Sequence, residues 1–105
     1  MKLEIGDTLY EIEFTVNAVC DLEELTKKSI GDVLRLPELS GIRALLWCGL
    51  IEGNPSMTFK QAGKLLDTYL SENGYETGKE RLNVALAEAI SQAGFLQAQG
   101  TKSPK

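Results

Sequence analysis

Histidine is missing from the 105 residues altogether. Its absence removes the Ser-His-Asp and Cys-His arrangements, together with the commonest general base and metal ligand. Cysteine is scarce: Cys20 and Cys48 stand far apart, form no CxxC pair, and are too few for a tetrahedral zinc site. Both sit in apolar stretches, so both are expected as small core residues. Positive charge is in the minority, with 11 Lys and Arg against 15 Asp and Glu. That balance argues against gripping phosphate backbones, where affinity comes from clustered basic residues. The longest apolar run, Ala44 to Ile51, is too short to span a bilayer. Met1 to Asp7 places acids where a signal peptide needs an apolar run, so a cytoplasmic location is expected. The scattered glycines match no phosphate loop. Asp21, Glu23 and Glu24 are so close in sequence that a helix turns them in different directions, which is poor geometry for paired acid–base work. These absences point to a binding or assembly role without catalysis, metal or cofactor.

What is present begins with alternation. Leu3 and Ile5, then Tyr10, Ile12 and Phe14, recur with period two, the strand signal. Gly6-Asp7 between them suits a two-residue II′ turn with glycine first. Such a turn sets Ile5 opposite Thr8, Leu3 opposite Tyr10 and Met1 opposite Ile12 on one face. The other face pairs Glu4 with Leu9 and Lys2 with Glu11, a favourable cross-strand charge pair. Two strands alone are marginal, so the apolar face must rest on something else.

From Thr15 the period becomes helical. Ala18, Val19, Leu22 and Leu25 form one stripe, with Thr15 or Asn17 as cap. Ser29 opens a short second helix through Ile30, Val33 and Leu34, and Pro37 is expected in the first turn of a third. That third helix, through Leu39, Ile42, Leu45, Leu46 and Leu50, carries Arg43 as its one charge between Ser40 and Ile51. A helix so apolar on most sides is either central to the core or partly an interface. Gly41 and Gly49 lie two turns apart on it, marking a close approach by another part of the chain or by a partner. Trp47 is open to the same two readings.

After the Asn54-Pro55-Ser56 loop, Thr58 with Gln61 makes a capping box. The helix it opens aligns Phe59, Ala62, Leu66, Tyr69 and Leu70, and Asn73-Gly74 ends it, with Tyr75 folding back on the last turn. Thr77 with Glu80 reads as a second capping box. The last helix then buries Leu82, Leu86, Ala89, Ile90 and Ala93, and Gly94 is positioned to cap it. The expected fold is mainly α: an N-terminal β-hairpin (1–14) followed by a compact bundle of four to five helices (15–96). Together they make a single domain, with 97–105 as a disordered tail. Charge is uneven along it. Residues 1–26 carry seven acids and one base, net −6, and residues 27–105 carry ten bases and eight acids, net +2. The acidic part is either a solvated face or a means of steering a subunit or basic partner.

Leu39 to Leu50, reading LSGIRALLWCGL, and Met57 to Asp67, reading MTFKQAGKLLD, give the chain a family resemblance. With the opening hairpin, the acidic helix and the Ala-rich last helix in that order, the chain resembles the tail assembly chaperones of long-tailed bacteriophages. Prophages and gene-transfer agents carry similar small proteins. The resemblance covers nearly the whole chain. It rests on apolar and small-residue patterns, since the family has no catalytic signature. It implies a protein that binds the tape measure protein, keeps that long helical chain soluble, and is displaced as tail tube subunits polymerise. It also implies a short form like this one beside a frameshifted long form. Amphipathic helices are held in apolar grooves by anchors every three or four residues. The expected contacts are therefore Leu46, Trp47, Leu50, Leu66 and Tyr69, in a groove between the two quoted helices. Self-association through apolar surface near Trp47 or Leu50 is also expected, with no nucleic-acid or membrane partner. The alternative is a non-enzymatic helical adaptor for an amphipathic helix of another partner.

Overall fold

The alternating residues at the start do form a hairpin. In the computed structural model, which describes residues 1–35 and 39–95, strands β1 (Lys2–Ile5) and β2 (Thr8–Glu11) pair antiparallel. The register is Lys2 with Glu11, Leu3 with Tyr10, Glu4 with Leu9 and Ile5 with Thr8. Gly6 takes φ +64° and Asp7 does not join it in the left-handed region, as a II′ turn requires. Pairing continues past β2 through Ile12 N–H to the Met1 carbonyl at 2.7 Å. Glu13 N–H then turns to the Gly49 carbonyl at 2.9 Å, tying the hairpin to the helices. Glu11 receives both Lys2 Nζ (2.9 Å) and the N-terminal ammonium (2.8 Å). These hydrogen bonds, the N-terminal one first, hold its carboxyl below the ordinary value of 4.5. Leu3, Ile5, Ile12 and Phe14 are buried and Tyr10 half-buried, while Leu9 on the opposite face is exposed.

Five helices follow: α1 (Val16–Thr26), α2 (Ile30–Leu34), α3 (Leu39–Leu50), α4 (Phe59–Asn73) and α5 (Tyr75–Ser91). Thr15, and not Asn17, caps α1, its Oγ1 accepting from Ala18 N–H at 3.1 Å. Ser29 does the same for α2 through Asp32 N–H. The expected helix start at Pro37 lies outside the described residues, as does the tail from 97 onward. The Thr58–Gln61 capping box on α4 is reciprocal, at 3.1 and 2.9 Å.

The second expected capping box does not form. Gly74, at φ +86°, ends α4 by donating to the Leu70 carbonyl and starts α5 by accepting from Gly78 N–H. One glycine thus serves as the whole connection, and Thr77 is already inside α5. Tyr75 is correspondingly half exposed, with Lys79 Nζ 4.2 Å from its ring centroid, and does not fold back on α4. Nor does Gly94 cap α5, which ends at Ser91 with Gln92 closing its last turn.

The core is one contiguous cluster with α3 at its centre, packed against α1, α2, α4, α5 and β2. Nine of the twelve α3 residues are buried. Gly49 permits this: a Cβ there would come within 2.8 Å of Ile12 Cγ2 and 3.3 Å of Phe14 Cζ. Internal packing by the hairpin is therefore the reason for that glycine. Two sequence expectations need correction. Cys20 is exposed, on the outer side of α1, while Cys48 is fully buried. Leu25 is exposed too, because the face of α1 that meets the core ends with Leu22. Among the described residues no helix is long and apolar enough to cross a membrane.

Candidate partner-binding surface

The five residues expected to contact a partner are drawn together, but inward. Leu46 and Leu50 are 0% exposed, Leu66 5%, Tyr69 7% and Trp47 8%. The groove expected between α3 and α4 is filled by these helices' own side chains, so none of the five is an open contact in this structure. Trp47 shows why. Its indole N–H donates to the Met57 carbonyl at 2.9 Å, giving the ring's polar edge an internal partner. The ring meets Phe59 edge-on, with centroids 5.0 Å apart. Arg43 lies over the Phe59 ring at 5.3 Å. Its aliphatic stem crosses α4 at Gly63, where a Cβ would stand 3.3 Å from Arg43 Cδ. Arg43, Phe59 and Trp47 thus pin α3 to the start of α4. The Arg43 Nε is buried without a hydrogen-bond partner among the described residues.

An open surface lies one layer further out. A cleft of about 390 Å³ runs between the hairpin, the Asn54–Met57 loop and the first half of α4. Tyr10, Met57 and Leu65, all half-buried, supply its apolar lining. Gln61 and Lys64, one turn apart on the exposed side of α4, supply its polar edge. Gln61 is fixed by its role in the capping box, accepting from Thr58 N–H. Met57 is unbranched and adaptable, a side chain that conforms to varied apolar partners. Periodicity could not find this cleft, because its lining comes from a strand, a loop and a helix. The one signal was Tyr10, an aromatic on the inward face of a short hairpin.

The chemistry available elsewhere is limited. Burial pushes the Cys48 thiol up to about 12, with Asp21 and Glu23 adding to the effect, so it stays protonated. Among the described residues no three His, Cys, Asp or Glu side chains gather into a group that could hold a metal ion. The arrangement suits recognition of an apolar or amphipathic chain. The chain matches no family model, no curated protein and no solved structure.

Proposed function

We propose that this protein is a tail assembly chaperone of a long-tailed phage or prophage, which holds segments of the tape measure protein in soluble form until the tail tube polymerises around them. The observation that carries this reading is the order of parts along the chain. A hairpin, an acidic helix, the LSGIRALLWCGL helix, the Thr58-capped helix and an Ala-rich helix are all present as folded elements in that sequence. The Tyr10–Met57–Leu65 cleft supports it, since an apolar strip with a polar edge fits one face of an amphipathic helix. The contact surface is accordingly moved from Leu46, Trp47, Leu50, Leu66 and Tyr69 to this cleft. Self-association belongs to the same reading. The exposed Leu25, Leu34 and Leu39 of α1, α2 and α3 are its apolar candidates, in place of the buried Trp47 and Leu50.

Co-expression with a tape measure protein from the same genome tests the proposal. The tape measure protein is expected in the soluble fraction and in complex with this chain. Met57→Glu and Leu65→Glu are expected to abolish co-purification while leaving the helical circular dichroism unchanged. A tape measure protein equally soluble without this chain overturns the reading. Capture of an unrelated amphipathic helix with loss of the tape measure interaction would favour the adaptor alternative.

A further inference from the structure

A second recess shares no lining residue with the cleft and does not depend on the proposed function. It lies where α1 meets the C-terminal end of α3 and the loop that follows, and its volume is about 140 Å³. Ala18, Trp47, Ile51 and Pro55 form its apolar walls, and Asp21 and Glu52 line it with charge. Its size is a few times the roughly 30 Å³ that a liquid water occupies, room for one extended side chain.

Four features favour a positive charge there. Tryptophan is the best aromatic partner for a cation, and Trp47 forms part of the recess wall with its 8% exposed surface. Asp21 has no ion pair or hydrogen bond among the described residues. Glu52 is held in place by Thr15 Oγ1, which donates to its Oε1 at 2.9 Å, and it too has no ion pair among those residues. Finally, α3 ends at Leu50, beside Ile51 and Glu52, so the negative end of its dipole lies at the recess. Among the described residues no Lys or Arg lines it. The surrounding charge agrees. Residues 1–26 carry net −6, and the ion pairs described there both fall on Glu11.

We propose that this recess receives a lysine or arginine side chain presented by a basic segment of a partner protein. The aliphatic stem lies against Ala18, Ile51 and Pro55, and the cation sits between Trp47 and the two carboxylates. Charge complementarity identifies the partner: an acidic, unpaired, aromatic-walled recess selects a long basic side chain over any neutral one.

Trp47 is the only tryptophan of the chain, so its emission reports on the recess directly. The probe is a short alanine-based helical peptide with lysine at every fourth position, compared with the same peptide carrying glutamine there. A saturable change in emission is expected with the lysine peptide and none with the glutamine peptide, and the affinity should fall as salt rises. The double variant Asp21→Asn, Glu52→Gln should bind at least about tenfold more weakly with unchanged circular dichroism, since both side chains are exposed. An equal response to both peptides, no response, or full binding by the double variant overturns the proposal. An equal response to free butylamine would make the recess a small-amine site and overturn the protein partner. A concentration-dependent emission change without peptide would assign it to a second copy of this chain, overturning a separate partner. Failure to co-purify a tape measure protein leaves each of these readings untouched.

Discussion

Of the twelve residues of α3 nine are buried, whereas of the seventeen of α5 only four are. The first helix is surrounded by α1, α2, α4, α5 and β2, and the second touches only α3 and α4 among the principal contacts. The apolarity of α3 therefore has an internal cause. Along most of its length its faces meet other elements, and only its two ends reach the surface, at Leu39 and beside Trp47. Helix α5 buries a single stripe, Leu82, Leu86 and Ala89, and leaves Val84 65% exposed on the far side. A very apolar helix in a small chain is as compatible with a central position as with an interface, and only its neighbours distinguish the two. The surface that stays open, the Tyr10–Met57–Leu65 cleft, belongs to elements with milder sequences.

Four measurements sharpen or break this contrast. The largest effect is expected for Leu46→Ala at the centre of α3. It should lower the unfolding free energy by about 2–5 kcal/mol in chemical denaturation, because the cavity is walled on every side. A loss below about 1 kcal/mol would mean that α3 is not enclosed.

The second comparison sets two glycines against each other. Gly49→Ala drives a methyl into the stiff, branched Ile12 and the Phe14 ring, and should cost about 1–3 kcal/mol. Gly78→Ala meets Leu70 Cδ2 at 2.8 Å, the free end of a flexible side chain, and gains helix propensity. Its net effect is expected within about 1 kcal/mol of zero by the same measurement, and equal losses at both sites would erase the distinction between the helices.

The third concerns how α4 and α5 begin. Thr58→Ala removes the capping hydroxyl of α4 and should cost about 1 kcal/mol in thermal or denaturant unfolding. Thr77→Ala, inside α5 with no cap to lose, should stay within about 0.5 kcal/mol. The smallest effect is expected for Val84→Lys, on the exposed face of α5, again within about 0.5 kcal/mol. A markedly larger loss would mean that this face is covered in solution, and light scattering at the same concentration would then show a mass above the monomer.

Much of the fold was legible because it is encoded locally. The II′ turn at Gly6-Asp7 and the period-two run around it specify the same register from two independent kinds of information, and Lys2 meets Glu11 as that register demands. Thr15, Ser29 and Thr58 mark helix starts because a short oxygen-bearing side chain reaches free N–H groups two or three residues ahead. The same signal misled at Thr77, where Gly74 had already begun α5, and a local pattern carries no knowledge of where the preceding helix stops. Cys20 and Leu25 were misplaced for a related reason. Cys20 follows the apolar Ala18 and Val19 but is turned away from the core around the α1 axis, and Leu25 shares the face of Ala18 and Leu22 but lies past the point where α1 leaves the core.

Sequence alone determined the hairpin and its register, the helical succession, the caps at Ser29 and Thr58, the apolar stripe of α4 and most of that of α5, and the lack of histidine chemistry. Each depends on residues within a few positions of one another. Only the tertiary structure decided that α3 is enclosed, that Trp47 turns its N–H to Met57, and that Gly49 makes room for the hairpin. It also decided that Tyr10, Met57 and Leu65 share an open cleft while Asp21, Glu52 and Trp47 line another recess. Those are meetings between segments tens of residues apart. Their outcome is settled by which faces the whole set of elements can bury together, and no single stretch of chain contains that information.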